Sequence, residues 1–151
     1  NTSVAYLDAK YTDYPNGACT IQALAQVGGG CTQDLSGKRR TNAPEWSGNV
    51  GARASIPVGN YNLTVDPLVY FTSRYFMAAT ADPLLEQRGY TKVDLRIGFG
   101  PQDGRWEVAL VGKNLTDKLT TQYKQSIPLA PGSISALVDA PRTVGVQLTI
   151  R

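Results

Sequence analysis

The chain has 151 residues, 42% of them hydrophobic and 18% charged, with a formal net charge of +3 and no histidine. Its length suits one ordinary domain, and its balance excludes disordered and collagen-like chains. Lys and Arg are scattered apart from Lys38-Arg39-Arg40, which gives no nucleic-acid footprint, and no apolar run reaches the roughly 18 residues that a membrane helix requires. Strands of a membrane barrel escape that last test, because only their alternate residues touch lipid.

In chain order, residues 2–11 alternate as a strand does, and the chain reads as beginning inside an element of something larger. Residues 14–45 are a long connection holding a Pro15-Asn16-Gly17 turn, Cys19, Cys31 and three consecutive glycines. A second strand, 46–58, sets Val50, Ala52, Ala54, Ile56 and Val58 on one face and turns tightly at Gly59-Asn60. The third, 61–75, contains Pro67, whose missing donor predicts a bulge or kink. A connection at 76–89 leads to strand 90–99, with Thr91, Val93, Leu95, Ile97 and Phe99 in phase; a short turn at 101–104 leads to strand 105–113. After a long connection at 114–141, strand 143–151 sets Val144, Val146, Leu148 and Ile150 against Thr143, Gly145, Gln147, Thr149 and Arg151. No segment shows convincing helical periodicity.

With one phase per strand, the apolar faces hold no charged residue, and the Asp, Glu, Lys and Arg of the strands collect on the opposite faces. Long and short connections alternate strictly, so an up-and-down meander has all its long loops at one end. Aromatics flank both ends: Tyr61, Phe99 and Trp106 beside the short turns, and Tyr11, Trp46 and Tyr75 beside the long loops. Tyr61 to Tyr75 would span about 33 Å of depth at roughly 3.3 Å per residue and a tilt near 45°. A sandwich has no physical reason for asymmetric ends, and small apolar-face residues such as Gly48, Ala52, Ala54 and Gly112 would fill its core poorly. The expected fold is therefore all-β, an antiparallel meander of about six strands.

Four stretches, NAPEWSGNVGARASIPVGNYNLTV, DPLLEQRGYTKVDLRIGF, GRWEVALVGKNLTDK and PRTVGVQLTIR, resemble the C-terminal end of TonB-dependent outer-membrane receptors. The most specific pieces are Asn114-Leu115-Thr116-Asp117 and Pro141-Arg142. The resemblance implies that residues 1–151 are the last strands of a transmembrane barrel of about 22 strands. The N-terminal plug and earlier strands would lie outside this sequence, and residues 14–45 would be an extracellular loop. It implies an integral outer-membrane importer of a scarce ligand, such as a ferric siderophore or another large nutrient, energised through its plug by the TonB system. Val144, Val146, Leu148 and Ile150 would face membrane lipid, and an aromatic residue would follow Arg151. A passive porin-like barrel and a secreted all-β carbohydrate-binding module are the alternatives.

Without histidine the common general base and the Ser/His or Cys/His nucleophile pairs are lacking. Asp94 and Arg96, or Arg105 and Glu107, share a face two residues apart, but inside a plugged barrel such groups form charge networks with the plug, so neither an enzyme nor a cofactor is expected. Two cysteines cannot complete a structural zinc site, and an oxidising periplasm favours a Cys19–Cys31 disulfide worth roughly 3 kcal/mol by chain entropy. Ligand recognition in the resembling family uses plug apices and outer loops. The candidates at that rim are Tyr14, Arg39, Arg40, Arg74, Arg88, Tyr123 and Lys124, cations and aromatics suited to an anionic chelate or a glycan.

Overall fold

A computed structural model describes all 151 residues. The elements follow as β1 (Thr2–Tyr6), β2 (Gly17–Ala18), α1 (Ile21–Val27), β3 (Thr32–Gln33), β4 (Trp46–Gly51), β5 (Ala54–Val58), β6 (Tyr61–Thr72) and β7 (Tyr75–Phe76). A 3-10 turn (Pro83–Leu85) precedes β8 (Glu86–Gln87), β9 (Tyr90–Pro101), β10 (Trp106–Lys113), β11 (Thr121–Ser126), β12 (Ile134–Val138) and β13 (Thr143–Ile150). The main sheet runs β1-β4-β6-β9-β10-β13 with β5 also on β6, every pair antiparallel. This is the meander expected from the alternation.

β4 and β5 are one strand interrupted. Gly51 pairs with Leu68 and Ala54 with Val65, so the register is unchanged across the gap and the bulge expected at Pro67 is not formed. Ala52 donates its N–H to the Pro67 carbonyl at 3.2 Å, but proline has no N–H to return. The ladder therefore loses one bond without losing a residue.

The register brings like faces together. Ile56 sits opposite Leu63, Leu63 opposite Phe99, Phe99 opposite Val108, and Val108 opposite Leu148. Nothing covers this apolar face: Val146 is 73% and Ile150 75% exposed. Only 13 residues are buried, and apart from Ala109 the buried hydrophobic side chains, Leu35, Ala43, Met77 and Leu85, all lie in the long connections. The packed core thus caps one end of a single-layer sheet.

Several boundaries differ from expectation. The first strand ends at Tyr6 and the third at Thr72. The loop at 14–45 contains the β2–β3 hairpin and the helix α1, whose Thr20 cap accepts from the Ala23 amide and whose left-handed Gly28 ends it. Seven residues make barely two turns, too few for a period to be read. β7–β8 and β11–β12 add further hairpins within the other long connections.

Restoring the missing donor gives a direct check. Pro67→Val should add one ladder bond to the Ala52 carbonyl, stabilise the sheet by about 1 kcal/mol, and raise amide protection at residues 52–54 in hydrogen exchange. Unchanged protection there would mean that something other than the missing donor separates β4 from β5.

Candidate functional site

The polar face of the sheet carries charge in a row across its strands. Arg53 donates to Asp66 at 2.6 Å, Asp66 lies 3.8 Å from Arg96, and Arg96 donates to Glu107. The cause is register: Asp66 pairs with Arg96 across β6 and β9. Gly98 keeps this space open, since a Cβ there would come within 2.6 Å of the Glu107 carboxylate. One strand position higher, Lys113 donates to Asp94 at 3.1 Å. Asp94 and Arg96 each reach across to neighbouring strands, and Arg105 turns away from Glu107 to Asp103 in the short turn, at 2.7 Å. Partly exposed pairs of this kind contribute at most about 1 kcal/mol each. They fix the face's chemistry more than its stability.

Above the ionic row a groove on the same face is lined by uncharged and aromatic residues. Ser47, Asn49, Tyr70, Thr72, Tyr75 and Tyr90 border a groove of about 550 Å³ under the long connections. Burial, then the neighbouring Tyr90 and Asp139, raises the Tyr75 phenol above its ordinary value. Tyr75 was expected in an outer aromatic belt, but it lies beyond the end of β6 and lines this inner groove. On the outer face near the long loops Tyr6 and Trp46 meet at 4.7 Å, while Tyr11 packs on Tyr14 within the first loop. At the short-turn end Tyr61 stacks on Phe99 at 5.1 Å and meets Trp106 at 6.2 Å. Tyr70 and Tyr90 were overlooked, although both fall in the polar phase of their strands and could have been read from it.

Asn114 explains why the Asn114–Asp117 stretch stands out. Its backbone N–H donates to Asp94, its side-chain amide donates to the Lys118 and Ala140 carbonyls, and its side-chain oxygen accepts the Lys118 N–H. Its φ of 50° suits asparagine better than most residues. Asp117 accepts from the Arg142 amide at 3.2 Å and faces its guanidinium at 3.7 Å. The two motif pieces, Asn114–Asp117 and Pro141-Arg142, thus clip the exit of β10 to the start of β13.

The long connections are tied to one another by polar contacts. Gln87 accepts from the Thr121 amide and hydroxyl, Lys124 donates to the Glu86 carbonyl, and Gln33 donates to the Thr80 carbonyl. Cys19 and Cys31 are joined as a disulfide around α1, with 5.8 Å between their Cα atoms. The seven rim candidates do not converge on one point. Arg39 is engaged by Glu45 at 2.7 Å and Asp8 at 3.8 Å, Tyr123 donates to Gln125, and Lys124 is held as above. Tyr14 rests on Tyr11, Arg74 is 77% exposed with Glu86 at 3.9 Å, and Arg40 and Arg88 are exposed.

Asp139 anchors the last connection to the sheet. The Thr120 hydroxyl and then the Lys92 ammonium, at 2.9 Å, hold its carboxyl down at about 2 from an ordinary 3.8. A depressed carboxyl stabilises above its unfolded pKa, and that stabilisation is lost as pH falls through the folded value. Hydrogen-exchange protection of β11 and β12 should therefore decline between pH 3.8 and about 2. In Asp139→Asn it should be lower at neutral pH already and lack that component; an identical profile in wild type and variant would refute the anchor.

No protein-family model and no curated protein matches the chain. Three solved structures share its fold. The siderophore receptor PiuA from Acinetobacter baumannii aligns over 97% of this chain at TM-score 0.68 and 17% identity, using 18% of its own length. The ferric yersiniabactin uptake receptor FyuA from Yersinia pestis aligns over 78% at TM-score 0.66 and 20% identity, again using 18% of its length. BauA, the ferric preacinetobactin receptor from Acinetobacter baumannii, aligns over 75% at TM-score 0.54 and 20% identity, using 16%. The chain spans under a fifth of each of these proteins, and the likeness is one of fold. All three are receptors.

Proposed function

We propose that the chain is the C-terminal six-strand part of the barrel wall of a TonB-dependent transporter. The transporter would be integral to the bacterial outer membrane and import a ferric siderophore or another large nutrient. The observation that carries this reading is the two-sided single layer: an uninterrupted apolar face open to its surroundings, backed by a face of paired charges. In water such a face would be an aggregation liability, whereas lipid covers it without a second protein layer. The twelve residues of β6 cross about 26 Å at roughly 3.3 Å per residue and a tilt near 45°, close to the apolar band of outer-membrane barrels. The Tyr6–Trp46 and Tyr61–Phe99–Trp106 clusters at opposite ends support two headgroup-level belts.

On this reading Val144, Val146, Leu148 and Ile150 touch lipid and the ionic row faces a plug domain in the lumen. The long connections, with the disulfide-closed loop at 14–45, form part of the outer vestibule where Tyr14, Arg39, Arg40, Arg74, Arg88, Tyr123 and Lys124 are available to an arriving ligand. The segment performs no bond chemistry. Transport work would come from the TonB system acting on the plug, while these strands supply wall, lumen lining and part of the vestibule.

Lipid exposure is tested in the full-length protein refolded into vesicles. Val146→Arg should lower unfolding stability by about 2–4 kcal/mol, whereas Gln147→Arg, one residue on but facing the other way, should change it little. Equal effects would remove the basis for a lipid face. Transport is tested by deleting the gene in iron-starved cells and following uptake of radiolabelled ferric siderophores. Uptake should fall on deletion and also when the inner membrane is uncoupled. Uptake that survives uncoupling would point to a passive pore.

A further inference from the structure

The polar face is divided into zones by charge. Its middle holds Arg53, Asp66, Arg96, Glu107, Asp94 and Lys113, each within 4 Å of an opposite charge. The groove above has no charged residue in its lining at all. Lys92, the cation nearest to it in register, opposite Tyr70, is already committed: its ammonium is paired with Asp139 and lies 5.4 Å from the Tyr90 ring centroid. The connections overhead add little net field. Asp8, Asp13, Asp34 and Glu45 offset Lys10, Lys38, Arg39 and Arg40 in the first, and Asp82 and Glu86 offset Arg74 and Arg88 in the second. The third holds a single excess cation among Asp117, Lys118, Lys124, Asp139 and Arg142.

From this zoning we infer that the groove bordered by Ser47, Asn49, Tyr70, Tyr75 and Tyr90 is a binding site for an uncharged, oxygen-rich ligand with an apolar plane, and that it disfavours anionic chelates. This rests on the transporter reading and names the chemical class carried. Phenol rings offer flat apolar surface with a hydroxyl at the edge, and the Asn49 amide offers both a donor and an acceptor. That combination suits a neutral sugar or a neutral ferric hydroxamate. A polyanion entering the groove would give up its hydration for hydroxyls and an amide, with no cation in the groove lining to offset the loss.

The two neutral sources and the anionic one can be separated with the folded full-length receptor in detergent. Equilibrium dialysis would use three probes: a neutral ferric trihydroxamate, a neutral maltooligosaccharide and a trianionic ferric tricatecholate. One of the neutral probes should bind at least about ten-fold more tightly than the tricatecholate. Tyr70→Ala should weaken that binding by about ten-fold, and Asn49→Lys should shift preference toward the tricatecholate. Which neutral probe binds distinguishes a sugar from a hydroxamate. Preferential binding of the tricatecholate would overturn the inference and leave the transporter reading intact. So would neutral binding that both variants leave untouched. Binding of none of the three by folded receptor would also overturn it, while the transporter reading itself stands or falls on the uncoupling experiment.

Discussion

A sheet one layer thick cannot stabilise itself by burying side chains between layers, and this constraint governs everything else in the chain. Each strand must hold its apolar residues on one face, and must do so in phase with its neighbours. One slipped register would turn a strand's whole apolar set toward the charged side. The long ladders prevent this. β6 and β9 pair without a shift from Tyr61–Pro101 to Thr72–Tyr90, and even Pro67 is absorbed by dropping a bond rather than a residue. Register is therefore the quantity the sequence protects most carefully, and the ionic row is one of its consequences.

Burial has moved to the end of the molecule. Leu35, Ala43, Met77 and Leu85 are enclosed among the long connections together with Asp82, Gln87, Asn114 and Thr120. A cap this rich in buried polar groups depends on hydrogen bonds being completed, because an unpaired buried donor or acceptor costs about 1–3 kcal/mol. Asn114 illustrates the demand: one side chain satisfies the Lys118 N–H and two carbonyls while its own backbone is held by Asp94. The connections are consequently fixed to the strands they join, and the disulfide stiffens α1, which has no buried residue of its own.

Much of the sheet was legible in the sequence because period two leaves a mark on every strand, and a face without charge is hard to produce otherwise. What escaped was local or cross-strand. α1 is too short for a period, although Thr20 and Gly28 are ordinary cap signals. The hairpin of β11 and β12 is built on Thr121–Ser126, where polar residues on both faces hide the alternation. Partner choice among charges was out of reach as well. Sequence spacing puts Arg105 near Glu107, yet Asp103 lies on the same side of the turn and captures it, while Arg96 takes Glu107 from the neighbouring strand. Tyr75 was misassigned for a simpler reason: the strand ends three residues earlier, so its phase could not be extended to it.

The separation of charged and uncharged zones on the polar face follows from the same register logic. A charge on a face that packs against another body is tolerable when its partner is built in, since breaking such a pair, or burying one member alone, costs several kcal/mol. Asp66, Arg96 and Glu107 meet that condition through adjacent strands, so a partner docking there need supply no counter-charge. Such a surface is suited to a constant partner of matching shape. The upper groove has no charges to neutralise and presents hydroxyls, an amide and ring faces, groups that pair with water nearly as well as with a ligand. Exchange between water and a ligand is then inexpensive in both directions, which is what a surface that must release its ligand requires. One face can thus hold a permanent partner in its middle and a transient one at its rim, with the change from paired ions to neutral donors marking the boundary.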